Sequence, residues 1–225
     1  MKQIILIAIL LVLLTGISFA ESPVALTLRM RGDITLQRAD KESRLHEGIP
    51  LINRDVLNSH DESFAFIKFI DDGATVRLFA NSILSINAQK EDDKLNKTSF
   101  LNIGTIFSNI NSRRGKYEIE TPTTVASVKG TEGFIDTEED GTTYIITLKG
   151  EFEVENTISG RQADVPAGYT CKSSPNGDLE VYLTEEIDQE WLDAIADMPH
   201  SDTNKLKIEI MNQENERKII EIELD

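Results

Sequence analysis

From Ser22 to about Leu183 hydrophobic and polar residues alternate with a period of two, and turn-forming residues interrupt the alternation at short intervals. That pattern predicts an all-β chain of short strands and hairpins. In "FAFIKFIDDGATVRLF" the side chains of Phe64, Phe66, Lys68 and Ile70 fall on one side, and those of Ala65, Ile67 and Phe69 on the other. Asp71-Asp72-Gly73 then supplies the positive backbone angles of a tight turn, and Val76 and Leu78 resume the pattern. Because both faces of the first strand are largely apolar, it is expected to be covered on both sides. The same grammar recurs around Asp140-Gly141 in "FIDTEEDGTTYIITL" and Asn176-Gly177 in "SSPNGDLEVYL". Between them, Gly150, Gly160 and Gly168 punctuate further short strands, whereas the polar, charged "NAQKEDDKLNKT" (residues 87–98) reads as a loop.

"TPTTVASVKGTEGFID" (residues 121–136), with two glycines and a lysine, has the look of a reactive or phosphate-holding loop, but strand chemistry explains it better. Pro122 ends one strand, since proline cannot continue a central ladder. Thr124, Ala126 and Val128 then alternate with Val125, Ser127 and Lys129, and Gly130 and Gly133 mark a bend or bulge before Phe134 and Ile135 return to the core.

After Leu183 the period changes. In "EEIDQEWLDAIADMPH" Ile187, Trp191, Ile195 and Met198 fall at helical spacing and Pro199 closes the segment, predicting a short amphipathic helix. Its tryptophan is expected to pack on the β body, where truncation to alanine would cost on the order of 3 kcal/mol if the ring is buried. The final "KLKIEIMNQENERKIIEIELD" returns to period two. Pairing Met211 with Arg217 sets Leu206 opposite Ile222, Ile208 opposite Ile220 and Lys207 opposite Glu221, so one register satisfies apolar and charged rows together. A lone hairpin is marginal, so this one needs the main body, another copy or a partner.

The start of the chain is of another kind. Lys2, the apolar run Ile4 to Leu14 and the small-x-small ending Ser18-Phe19-Ala20 form a secretory signal peptide with cleavage expected after Ala20. The run is shorter than the roughly 20 residues a membrane-spanning helix needs. Cys171 is the sole cysteine, so an exported product has no internal disulfide, and a buried, inert thiol is the simplest reading. The formal net charge of −16 repels phosphate backbones, which disfavours nucleic acid as a partner.

The inventory for chemistry is thin. His46, His60 and His200 are far apart in sequence and stand among charged or turn residues. No G-x-S-x-G elbow or H-E-x-x-H pair occurs. "DTEEDG" places Asp136, Glu138 and Asp140 before Gly141 as a calcium loop would, but the closing twelfth position is Thr147 rather than glutamate. Asp71-Asp72 is a weaker echo still. Tyr117, Tyr144, Tyr169 and Tyr182 alternate with polar residues and do not announce a sugar-stacking platform. No residue is therefore assigned a catalytic, cofactor-binding or metal-ligating role, and no cofactor is expected.

In order along the chain, "GDITLQR" (32–38), "LINRDVLNS" (51–59), "FIKFIDDGATVRLFANSIL" (66–84), "LNIGTIF" (101–107), "YEIETPTTVASVKGTEGFID" (117–136), "TLKGEFEV" (147–154) and "VPAGYT" (165–170) resemble the FecR-type extracytoplasmic domain. Arg54-Asp55 stands where that family usually has Gly-Asp, Ala74 follows Asp-Gly in place of serine, Glu132-Gly133-Phe134 lengthens the Gly-Thr-x-Phe piece by one, and Tyr169 replaces an acidic or amide residue. The resemblance implies an elongated, roll- or solenoid-like all-β module that works in the periplasm through protein contacts; the family's cytoplasmic anti-sigma segment has no counterpart in these residues. The expected organisation is a signal peptide at 1–20, a FecR-like domain at 21–184, and a helix plus hairpin at 185–225. The expected function is that of a periplasmic or secreted, non-enzymatic module binding an envelope or secreted protein, with the hairpin at 205–224 or a strand edge as the docking element, and with no membrane span after cleavage. The alternative is a cell-surface glycan- or calcium-binding module using the acidic turns at Asp71-Asp72 and Asp136 to Asp140.

Overall fold

The computed structural model describes the chain from Glu21 to Glu223, save residues 92–93, 111–115, 129, 186, 188–190, 194–204 and 212–216; the expected signal peptide at residues 1–20 lies outside the described residues. The strands begin with β1 (Ala25–Arg31), β2 (Ile34–Arg38), β3 (Lys41–Arg44), β4 (Pro50–Leu51), β5 (Asp55–Ser59) and β6 (Phe64–Phe69). Next come β7 (Thr75–Leu78), β8 (Ile83–Glu91), the long β9 (Lys94–Ile110), β10 (Tyr117–Glu120), β11 (Thr124–Val128) and β12 (Thr131–Thr137). β13 (Thr143–Lys149), β14 (Glu151–Asn156), β15 (Gln162–Pro166), β16 (Tyr169–Ser173) and β17 (Leu179–Leu183) complete the main sheet, and β18 (Lys205–Met211) with β19 (Arg217–Glu223) forms a two-stranded one.

The chain steps between two limbs of one continuous sheet, usually a hairpin at a time. One limb runs β4-β1-β6-β7-β9-β12-β13-β16-β17, the other β3-β2-β5-β8-β9-β10-β11-β14-β15, and β9 belongs to both. Ile67, Val76, Ile106, Ile135 and Ile145 from the first limb meet Leu36, Leu57, Leu84, Ile119 and Phe152 from the second in a single buried core. The transfer of β9 between limbs occurs at Gly104, whose φ of 90° is a glycine conformation and whose absent side chain leaves room for Ser82 and the Asn81 carbonyl.

All three turn-based hairpins form: β6–β7, β12–β13 and β16–β17. β6 lies between β1 and β7, with Ala65, Phe66, Ile67 and Phe69 buried, as its two apolar faces predicted. β18 and β19 adopt the predicted register, Met211 against Arg217 and Lys207 against Glu221.

The expectation of a loop at 87–98 is corrected. β8 and β9 stay paired through Asn87–Thr98, Gln89–Asn96 and Glu91–Lys94, making a long hairpin arm. Its inward positions are Ala88, Lys97 and Ser99, all buried, so a hydropathy pattern reads polar where the fold reads core. Of the predicted helix Trp191, Leu192 and Asp193 are helical, Glu185 and Ile187 are described and not helical, and the remaining residues lie outside the described ones.

At Arg54, where glycine was expected, the backbone still takes the left-handed conformation, with φ 69°. The turn is held beside it: Arg38 donates from Nε and Nη2 to the two oxygens of fully buried Asp55 at 2.8 and 2.6 Å, and the Ile52 amide donates to Oδ2 at 2.9 Å. A bidentate, charge-assisted pair of this kind fixes geometry as well as adding energy.

Candidate functional site

Strand residues alternate between faces, so the first limb has an outward face as regular as its core. Across it one row of paired residues runs Phe66, Arg77, Phe107, Phe134, Ile146, Thr170 and Tyr182 on seven successive strands. A neighbouring row runs Thr105, Asp136, Tyr144, Lys172 and Glu180. Much of the first row is buried even though it lies outside the core between the limbs. The Arg77 guanidinium sits 4.3 Å from the Phe64 ring centre and 5.4 Å from that of Phe79, a cation–π setting. Half-buried Trp191, coming back over this face from the end of β17, lies 5.2 Å from Phe134 and 6.3 Å from Phe79. The sole tryptophan thus packs on the β body as predicted.

Between Trp191 and β17 the described residues leave a cleft of about 420 Å³, walled by Asp136, Tyr144, Ile146, Thr170, Tyr182, Glu185, Ile187 and Trp191. Thr105 Oγ1 donates to Asp136 Oδ1 at 2.6 Å. Burial pushes the Asp136 carboxyl above its ordinary range; the Thr105 hydrogen bond opposes that rise and nearby Glu138 adds to it. Across Tyr144, the ammonium of half-buried Lys172 lies 5.6 Å from the ring centre, and Tyr144 is the main cause of its raised pKa. The Tyr182 hydroxyl is also raised, chiefly by burial. The hydroxyls of Thr170 and Thr184 bond each other at 2.8 Å.

β17 forms one rim of the cleft. It pairs with β16 alone among the described strands, and Val181, Tyr182 and Leu183 are exposed there by 38, 42 and 64 %. An open edge with apolar side chains is a template for strand addition.

The acidic turns are put to structural use. Asp71 and Asp72 converge on Lys97, whose side chain is wholly buried: Nζ reaches Asp71 Oδ2 at 2.7 Å and contacts Asp72 Oδ2 as well. In the second turn Asp140 caps the Thr142 amide at 2.7 Å, a bond that lowers its pKa, while Asp136 faces the cleft. Thr147 turns into the core and donates to the Val165 carbonyl at 2.9 Å, so it closes no cation loop. Among the described residues no group of three His, Cys, Asp or Glu side chains is placed to hold a metal. His46 is exposed, and exposed His60 has its Nε2 3.5 Å from Thr35 Oγ1; His200 lies outside the described residues. Cys171 is fully buried, and burial pushes its thiol up to about 12.

"TPTTVASVKGTEGFID" is a corner of the scaffold. Thr124, Ala126 and Val128 are buried, and the ladder slips between Glu132 and Gly133 as a bulge. Its threonines stitch neighbouring strands together: Thr121 Oγ1 to Thr143 Oγ1 at 2.8 Å, Thr123 Oγ1 to the Gly141 carbonyl at 2.7 Å, and Thr131 Oγ1 to the Glu151 carbonyl at 2.7 Å. The cleft went unread in the sequence because its walls come from four strands and the segment after β17; the one local signal was the alternation that puts Asp136 and Phe134 on the same side.

A two-limbed sheet of short strands, with an edge at β17 left unpaired among the described strands, defines an all-β module. Residues 55–153, a little under half of the chain, match the family model described as FecR protein. No curated protein matches the chain. Among solved structures it is similar to a candidate anti-sigma factor from Parabacteroides distasonis ATCC 8503, solved at 1.65 Å, with 15 % identity and a TM-score of 0.51 over 62 % of this chain. The match covers 64 % of that protein, less than two thirds of its length, and it is a likeness of fold. A second structure of the same description, solved at 2.50 Å, has 16 % identity and a TM-score of 0.47, over 56 % of this chain and 57 % of the other. β1 to β4 and β15 to β17 lie outside the matched residues and still join the same sheet, so the cleft combines strands of the matched region with strands C-terminal to it.

Proposed function

We propose that the chain is an exported, non-enzymatic FecR-like module that binds another envelope or secreted protein, in envelope signalling or structure. The β17 edge, unpaired among the described strands and with Val181, Tyr182 and Leu183 exposed, carries this reading: its backbone groups can pair with an added strand, and its alternate side chains can select it. The FecR domain and the leader-like first twenty residues support it. Export is tested by fractionating cells and sequencing the N-terminus of the product, expected to begin at Glu21.

The docking edge is tested by affinity capture from envelope extract. With Val181→Lys and Leu183→Lys the partner captured by the unaltered chain is lost; with residues 201–225 deleted, loss would add the terminal hairpin to the docking surface. Capture that survives both changes removes the proposal.

A further inference from the structure

The cleft beside Trp191 has an unusual wall for a face that needs only packing. It brings two carboxylates, Asp136 and Glu185, to three aromatic rings, Tyr144, Tyr182 and Trp191. We propose that it receives an arginine side chain of the partner polypeptide, the guanidinium lying against the rings with the two carboxylates as its acceptors. This rests on the strand-addition reading above and names the chemistry the partner must bring.

Hydrogen-bond capacity points to that occupant. Among the described residues no Lys, Arg, His, Asn or Gln side chain lines the cleft, and the Thr170 hydroxyl is already bonded to Thr184. The remaining polar groups are two acidic acceptors, the Trp191 indole N–H and the tyrosine hydroxyls, of which that of Tyr144 is hydrogen-bonded by Lys172. A guanidinium brings five donors, a positive charge and no acceptor, and so matches two carboxylates, whereas a neutral sugar leaves both of their charges uncompensated. The flat guanidinium also stacks on rings better than an ammonium. The same face already holds an arginine this way, since Arg77 lies between Phe64 and Phe79 in the adjoining part of the row.

Register supplies the path. On a strand added to the free edge of β17, the residue opposite Tyr182 continues the row Phe134, Ile146, Thr170, Tyr182, so its side chain leaves on the cleft side of the sheet. The charges facing Asp136 are consistent with an incoming cation. Glu138 lies nearby and Glu185 is across the cleft, while Lys172 stands beyond Tyr144 in register with Glu180. The net charge of −16 favours a basic partner at longer range.

Trp191 is the sole tryptophan, so its fluorescence reports on the cleft. The probes are acetyl-Thr-Val-Arg-Val-Thr-amide, the same peptide with citrulline for arginine, and chitotetraose, titrated into the full chain. A saturable change is expected with the arginine peptide, weakened about 10-fold or more by citrulline, by Asp136→Asn and by Glu185→Gln, as loss of a charged hydrogen bond predicts. Glu42→Gln on β3 should leave it unchanged, and thermal melts establish that each variant is folded. Equal binding of the citrulline peptide, indifference to both cleft variants, no saturable change, or saturation by chitotetraose alone would each overturn the inference. If the peptide test fails while the β17 variants still abolish capture, the interaction module stands and the arginine site falls; the reverse pattern separates the two in the other direction.

Discussion

Replacing Lys97 by methionine removes the cation shared by two carboxylates at the β6–β7 turn while keeping the length of the side chain. The lysine side chain is wholly buried, Asp72 is 3 % exposed and Asp71 19 %, and the ammonium lies 5.6 Å from the Phe69 ring centre. Asp72 Oδ1 also accepts the Ala74 amide at 3.0 Å, so it cannot turn away to water without losing the turn, and Asp71 Oδ1 is buried without a hydrogen-bond partner. Breaking a buried ion pair from one side costs about 3–5 kcal/mol because an uncompensated charge stays behind. The partial exposure of Asp71 places the expected loss for Lys97→Met near the lower end, about 3 kcal/mol, or roughly 10 °C in Tm for a chain of this size. Urea unfolding with a common m-value measures it. The decisive control is Lys97→Met with Asp71→Asn and Asp72→Asn. The triple variant has no buried charge at this turn and should recover most of the loss, since the uncompensated buried charge that dominates the cost of the single variant is gone. A single-variant cost below about 1 kcal/mol, or a triple variant no more stable than the single, would refute the argument.

Gly104→Ala should be worse than Gly130→Val: both glycines have positive φ, but a Cβ at 104 would come within 2.6 Å of the Ser82 Cα, while nothing lies within 4 Å of one at 130. Backbone strain alone predicts about 1–2 kcal/mol at 130, and added overlap about 3 kcal/mol at 104; the order of their melting temperatures checks this. Asp136→Asn should raise Tm at neutral pH. The wild-type carboxyl has a folded-state pKa above its unfolded one, so its ionised form costs stability, which returns as pH falls through the folded pKa; the advantage of the variant should shrink on acidification, and a constant or growing advantage would count against it. Trp191→Ala should cost about 2 kcal/mol, less than a fully buried ring, in a denaturant titration. Cys171 should resist a thiol reagent at mildly alkaline pH until urea is added, because burial keeps the thiol protonated.

The hairpins were legible because their information is local. Asp72-Gly73, Asp140-Gly141 and Asn176-Gly177 set the turn, and period-two runs on either side set the register, all within about ten residues. The β18–β19 register was readable for the same reason: one pairing satisfies Leu206, Lys207 and Ile208 together, and a one-residue slip sets Lys207 opposite an isoleucine and Leu206 opposite a glutamate. The extended arm of β8 and β9 was not legible, because its buried positions are Ala88, Lys97 and Ser99, and Lys97 becomes a core residue only once Asp71 and Asp72 arrive from another hairpin.

The letters by themselves determined the all-β class, the turns, the hairpin partners within each turn and the likeness to FecR, since each depends on neighbours in the chain. Tertiary structure alone decided which limb each hairpin joins, how β9 passes between limbs at Gly104, and that Asp136, Tyr182 and Trp191 share one cleft. Ladder partners far apart in sequence are chosen by the summed burial of whole rows, a quantity that no single segment carries.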